Sequence, residues 1–181
     1  MQNITEGAER IKNIIVGLRT FSRMDGDSMS LSDIHENIDA TLIILQHEIK
    51  NKVKVIKSYG DIPKIICYTG KLNQVFLNII LNAAQSINKY GAVEITTEIF
   101  EDINEICISV KDTGKGIAPD IIDKIFEPFF TTKEEGEGTG LGLYISYDII
   151  KKHKGRIEIN SLKNNGTEFK IFIPSNLNVL L

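Results

Sequence analysis

The sequence predicts a layered α/β sandwich with an antiparallel or mixed sheet, preceded by one bundle-type α-helix. Stretches of helical period alternate along the chain with stretches of period two, and the two clearest alternating stretches lie close enough to pair as a long hairpin. A glycine-rich loop also runs straight into an apolar helical segment, which is how a helix N-terminus is brought to a site. At 181 residues there is room for one well-buried domain plus an appendage. A hydrophobic content of 42% and a charged content of 25% are those of an ordinary globular chain. With 24 acidic and 21 basic residues, the net charge of -3 leaves no footprint for nucleic acid or an anionic membrane.

Residues 4 to 21 place Ile4, Ala8, Ile11, Ile15 and Leu18 on a narrow seam, with Phe21 close behind. That spacing marks a helix that pairs with a second helix or a second subunit. The loop from Met24 to Ser28 reads as a boundary. Ser32 or Asp33 can cap a second helix whose apolar face carries Ile34, Ile38, Leu42, Leu45 and Ile49. The strand-like VKVIK, a turn from Tyr59 to Pro63 and a short strand through Ile65 and Ile66 are expected to form a hairpin.

From Gly70 to Asn88 the pattern is helical again, with Leu72, Val75, Phe76, Ile79, Ile80, Ala83 and Ile87 facing inward. Gln74, Asn78, Asn82 and Ser86 stack along another line of the same helix. Asparagine is a mediocre helix former, because its amide competes for backbone bonds, so two of them a turn apart point to a task. Val93, Ile95, Thr97 and Ile99 alternate, as do Ile106, Ile108 and Val110, giving an antiparallel hairpin whose second strand ends at Asp112. A helix starting near Gly140 and two closing strands, GRIEINS and TEFKIFIP, around a turn at Asn164, Asn165 and Gly166 complete the chain. Cys67 and Cys107 sit alone in apolar runs and read as buried free thiols. No apolar run approaches the ~20 residues needed to span a bilayer. The N-terminus MQNITEGAERIKNII has neither the charged start nor the short apolar core of a signal peptide, so a cytosolic stretch without membrane contact is expected.

Two glycine clusters, Gly114 with Gly116 and Gly136, Gly138, Gly140 and Gly142, flank an aromatic block. A glycine loop that opens a helix favours an anion such as phosphate, which points to a nucleotide site. Neither the Walker spacing nor G-x-G-x-x-G after a strand is present, so the P-loop and Rossmann readings fail. The runs NIILNA from Asn78, DTGKG from Asp112, FEPFF from Phe126 and GTGLGL from Gly138 occur together and in this order. Together they resemble the asparagine box, first glycine box, phenylalanine box and second glycine box of sensor histidine kinases, and the similarity extends from about Leu31 to Pro174. The resemblance implies a Bergerat ATP-binding fold, shared with gyrase, Hsp90 and MutL: a two-layer sandwich with a mixed, mostly antiparallel sheet and helices on one face. It divides the chain into a trailing dimerisation helix over 1–25, a catalytic ATP-binding domain over 31–175 and a tail over 176–181.

Beside the resemblance, the residues have physical roles. Asp112 can accept from an exocyclic amine and so favours adenine over guanine. Gly114 and Gly116 let the backbone approach the base, and the resemblance adds Ile117 and Thr167 near it. Asn82 offers a neutral hard oxygen to Mg²⁺ when the triphosphate already supplies the charge, and in the family the matching asparagine is the metal ligand. Asn78, one turn earlier, is expected within reach of the same metal and phosphates. Amides of Gly140, Leu141 and Gly142 are candidates for the phosphates, with Thr139 and Leu143 beside them in the matching box. Lys133 can add a point charge from a lid that Phe126, Phe129 and Phe130 anchor. Some family members carry a basic residue three positions beyond the metal asparagine. Here that position is Gln85, which puts one phosphate contact in doubt.

In the family a histidine on the first helix of a dimerising hairpin attacks the γ-phosphate and passes it to a response-regulator aspartate. Residues 4 to 21 resemble the second helix of such a hairpin, and the acceptor helix is expected to lie outside this chain. His35 with Glu36 imitates the acceptor dipeptide but falls at the start of a sandwich helix, while His47 and His153 read as surface or capping residues. Asn78 stands where gyrase-like relatives have a glutamate base, and asparagine cannot activate water. A hydrolytic ATPase clamp and a non-catalytic, anti-sigma-type nucleotide-binding module remain the alternatives to a kinase domain.

Overall fold

A computed structural model describes residues 28–133 and 139–175. The helix expected over 4–21 and the segment 1–25, the boundary loop up to Asp27, Gly136 and Gly138, and the tail 176–181 lie outside the described residues.

After β1 (Ser30–Ser32), Asp33 caps α1 (Ile34–Ile44) by accepting from the His35 and Glu36 amides at 3.0 and 3.3 Å. The single helix expected to Ile49 is broken at Leu45, beyond which α2 (Gln46–Ile49) makes one further turn. The anticipated face survives the break, with Ile34, Ile38, Leu45 and Ile49 buried and Leu42 packed beside them. Next come β2 (Val53–Tyr59), β3 (Ile65–Cys67) and the long α3 (Thr69–Ser86). β4 (Gly91–Phe100) and β5 (Glu105–Asp112) follow, then α4 (Gly142–Lys152), β6 (Arg156–Ser161) and β7 (Thr167–Pro174).

The main sheet has the order β2-β4-β5-β7-β6, parallel between β2 and β4 and antiparallel elsewhere. The expected hairpin of β2 with β3 does not form. β2 instead runs in register with β4 from Val53 opposite Gly91 to Tyr59 opposite Thr97, and β3 pairs with β1 in a separate ribbon. The seven residues of β2 find a full-length partner in β4, whereas β3 offers only three. Gly60 continues the β2–β4 ladder by donating to the Thr97 carbonyl at 3.0 Å, and a Cβ there would lie 2.5 Å from that oxygen. A parallel pair needs a crossover, and α3 lies within it.

The core lies between the helices and one sheet face. Leu72, Val75, Phe76, Ile79, Ile80, Ala83 and Ile87 of the α3 region join Val93, Ile95, Ile106, Ile108, Val110, Phe169, Ile171 and Ile173 of the sheet. Each such Val, Leu, Ile or Phe side chain contributes roughly 1.5–3 kcal/mol by leaving water. The opposite face alternates outward, as an antiparallel sheet with one wet side does, and carries Glu168, Lys170 and Arg156, whose guanidinium lies 3.9 Å from the Phe172 ring centroid. Both cysteines are buried free thiols, and burial pushes Cys107 up to about 11. Among the described residues no helix is long and apolar enough to cross a membrane.

Candidate nucleotide site

The polar stripe of α3 organises the site, since three of its residues touch three different segments. Ser86 donates to the Asp112 carboxylate at 2.9 Å, Asn82 receives Lys133, and Asn78 donates to the first turn of α4. About 12 Å of helix separates the first from the last of these, at 1.5 Å per residue.

At the Ser86 end, Asp112 closes β5 with only 3% of its surface exposed. Its Oδ1 accepts from the Gly114 amide at 2.7 Å as well as from Ser86. Burial raises the affinity of this carboxyl for its proton, while the Gly114 amide, the Ser86 hydroxyl and the Thr167 amide oppose that shift. A carboxylate has about four lone-pair positions, so capacity remains for one more donor, as an exocyclic amine requires. The glycines here let backbone meet backbone: a Cβ on Gly114 would stand 1.9 Å from Ser86 Oγ, and one on Gly116, at φ +64, 2.0 Å from the Leu162 carbonyl. Ile117 donates to Ser161 Oγ at 2.8 Å, and that hydroxyl is 2.9 Å from Thr167 Oγ1, which ties the loop after β5 to the β6–β7 turn. Asp112, Gly114, Gly116, Ile117 and Thr167 are therefore one interlocked unit.

At the Asn78 end, Nδ2 donates to the Gly142 carbonyl at 2.9 Å and to Ser146 Oγ at 3.2 Å, and Ser146 itself donates to the Gly142 carbonyl at 2.8 Å. Asn78 thus fastens α3 to α4. Buried Ser146, which the sequence reading missed, completes the fastening. Leu141, the N-cap residue of α4, offers no side-chain cap, so the first amides of the helix have no intrahelical partner and face the requirement for an acceptor. Gly140 has φ +66, and a Cβ there would lie 2.3 Å from the Phe129 carbonyl carbon. Thr139 Oγ1 accepts from the Leu141 amide at 3.4 Å, and Leu143 packs on the core.

Between the two ends, Lys133 Nζ donates to Asn82 Oδ1 at 3.4 Å and to Gln85 Oε1. The oxygen expected to hold Mg²⁺ thus accepts from an ammonium. Among the described residues no group of three or more His, Cys, Asp or Glu converges.

Phe126 and Phe130 pack against the core as anticipated, but Phe129 does not: its side chain is 73% exposed, with φ 66 and its backbone pressed against Gly140. His35 stacks on Tyr59 at 4.4 Å and bonds Thr97 Oγ1 at 2.8 Å, and His47 is exposed. His153 caps α4 but is fully buried, not a surface residue. Its Nδ1 is 2.8 Å from the Ile149 carbonyl and its Nε2 accepts from the Tyr68 amide at 3.1 Å, which assigns the neutral Nδ1–H tautomer.

Residues 68–177 match the family described as histidine kinase-, DNA gyrase B-, and HSP90-like ATPase. The sensor histidine kinase ZraS of Escherichia coli (strain K12) is 32% identical over 178 residues, which cover 97% of this chain and 37% of that protein. Sporulation kinase E of Bacillus subtilis (strain 168) is 34% identical over 173 residues, covering 94% of this chain and 23% of its own length. Among solved structures, the nucleotide-free catalytic domain of the histidine kinase ThkA is similar with a TM-score of 0.73 at 28% identity, over 82% of this chain and 96% of that one. The chain spans well under half the length of these curated relatives.

Proposed function

The chain belongs to the histidine kinase-, DNA gyrase B- and HSP90-like ATPase family, as an ATP-binding domain of its histidine kinase branch, and from that premise we propose that it binds Mg-ATP and presents the γ-phosphate to a histidine supplied from elsewhere. The observation that carries this reading is the α3 stripe, which joins a buried carboxylate, a cation-facing asparagine and an uncapped helix along one line.

Asp112 takes the adenine amine, with Gly114, Gly116, Ile117 and Thr167 shaping its surroundings. Thr139, Gly140, Leu141, Gly142 and Leu143 bring the start of α4 to the phosphates, where amides and helix dipole favour negative charge. Asn82 is the protein's oxygen for Mg²⁺, which neutralises phosphate charge when bound, and Lys133 adds a further positive charge. The chain's contribution is positioning and electrostatics, as expected for phosphoryl transfer. The bond from the γ-phosphorus to the β-bridging oxygen breaks, ADP keeps its electron pair, and a P–N bond forms to the incoming imidazole. The phosphoryl group then passes to an aspartate of a response-regulator receiver domain, and full-length subunits pair as a homodimer.

Asn78 supports transfer over hydrolysis. Its amide nitrogen is committed to Gly142 and Ser146, and an amide cannot take a proton from water. The test follows γ-labelled ATP with Mg²⁺, first with the chain alone and then with a separately supplied histidine-bearing helical hairpin. Intact ATP in the first case and acid-labile label on the hairpin in the second are expected. Rapid release of free phosphate by the chain alone would overturn the kinase reading.

A further inference from the structure

ATP brings about four negative charges to a site whose organising helix carries one lysine, Lys71 in its first turn. Asn82 and Gln85 lie three positions apart on α3, so their side chains are neighbours on one face, and both oxygens point at the same ammonium. That ammonium comes from Lys133, 48 residues away in sequence from Gln85. Both amide oxygens are neutral, so neither adds a negative charge that competes with a phosphate for this ammonium.

We propose that Gln85 is the positioning residue that docks Lys133, and that this docked ammonium is the charge by which the site prefers a nucleoside triphosphate over a diphosphate. The inference rests on the nucleotide reading above. An ammonium and a divalent ion repel each other and cannot share Asn82 Oδ1, so a metal arriving there leaves Gln85 Oε1 as an acceptor that still holds Lys133 at this end of the site. Lys133 can then exchange its bond to Asn82 for one to phosphate. No covalent step is involved, and the effect is on affinity for the last phosphate. The side chain at 85 selects for a neutral acceptor because a cation there would repel Lys133, yet it could also replace it. That makes the pair separable by experiment.

The experiment is an equilibrium titration of the chain with ATP and with ADP in Mg²⁺, read by displacement of a fluorescent ATP analogue, with unfolding midpoints measured in parallel. Lys133→Ala is expected to weaken ATP about tenfold, the scale of one charge-assisted hydrogen bond, while ADP changes by less than about twofold. Gln85→Leu, which keeps the lysine but removes its dock, should move the ATP-to-ADP ratio in the same direction and by less. Adding Gln85→Lys to Lys133→Ala should recover most of the preference by returning a cation to the same place, a rescue that a purely structural role would not produce. Equal weakening of ATP and ADP in Lys133→Ala, or no rescue by the double variant, would overturn the inference alone. Failure of the folded, unaltered chain to bind either nucleotide would overturn the nucleotide reading and this inference with it.

Discussion

The two ends of the α3 stripe are built in opposite ways. Around Asp112 the contacts are short and mostly involve backbone: Gly114, Ile117, Gly166 and Thr167 interlock so tightly that a Cβ on Gly166 would lie 2.0 Å from the Asp112 carbonyl oxygen. Around Asn82 the contacts are made by the tips of long, partly exposed side chains, Gln85 and Lys133. The first arrangement leaves little room to adjust, as the proposed recognition of a rigid base by a preformed acceptor requires. The second can exchange partners at little cost, which suits a group of phosphates and an ion that come and go. One helix therefore serves as both template and adaptable arm, depending on whether backbone or flexible side chain meets it.

The rigid end is most sensitive at Gly114. Replacing it by Ala would drive a methyl into Ser86 Oγ and to 2.7 Å from the Ser86 carbonyl carbon, so a stability loss of about 2–4 kcal/mol is expected in urea unfolding, together with loss of nucleotide binding. No comparable stability loss is expected from Lys133→Ala.

Asp112→Asn separates recognition from stability at the rigid end. Nucleotide affinity should fall at least ~100-fold, about 2.7 kcal/mol, because an amide cannot offer the charged acceptor that Asp112 provides. Stability should hold or rise. Burial raises the folded-state pKa of this carboxyl, so its favourable contribution is complete below the unfolded value of 3.8 and is lost as pH rises through the folded value. At neutral pH the buried charge opposes folding, and Asn removes that opposition while keeping an oxygen for Ser86 and Gly114. A large drop in unfolding free energy, measured at pH 7, would contradict this assignment.

Asn78→Ala addresses the fastening of α4. Loss of the bonds to Gly142 and Ser146 should cost ~1 kcal/mol of stability or somewhat more, with phosphoryl transfer to an added histidine hairpin reduced about tenfold and adenine affinity little changed. An equal effect on both would mean that the two ends are not separable.

The smallest effect is a shared one. His153 joins the start of α3 to the end of α4 through Tyr68 and Ile149, and burial holds its pKa below the usual value of 6.5. Its neutral form is favoured in the fold, so stability is complete above the unfolded pKa and declines as pH falls from about 6.5 towards the folded value, since the unfolded chain then binds more protons. Unfolding titrations between pH 7.5 and 5, compared with His153→Gln, should show a shallower slope in the variant.

What was legible in the chain is local. Period 3.6 placed Asn78, Asn82 and Ser86 on one line of α3, period two placed Asp112 at the end of β5, and glycine spacing marked the start of α4, because each pattern is a property of neighbouring residues. What required the folded chain is pairing over distance. Strand β2 chose β4 over its sequence neighbour β3, because a seven-residue ladder outweighs the short closure of a hairpin. Lys133 met Gln85 and Asn82, and Phe129 turned outward beside Gly140, only once the loop after β5 had been laid across α3. His153 shows the same division within one residue: the sequence reads it as a surface or capping residue, but its burial and its bond to the Tyr68 amide, 85 residues away in sequence, belong to the folded chain. Periodicity is written in the backbone's own geometry, whereas the choice among distant partners is made by the packing of the whole core, which no short window of sequence contains.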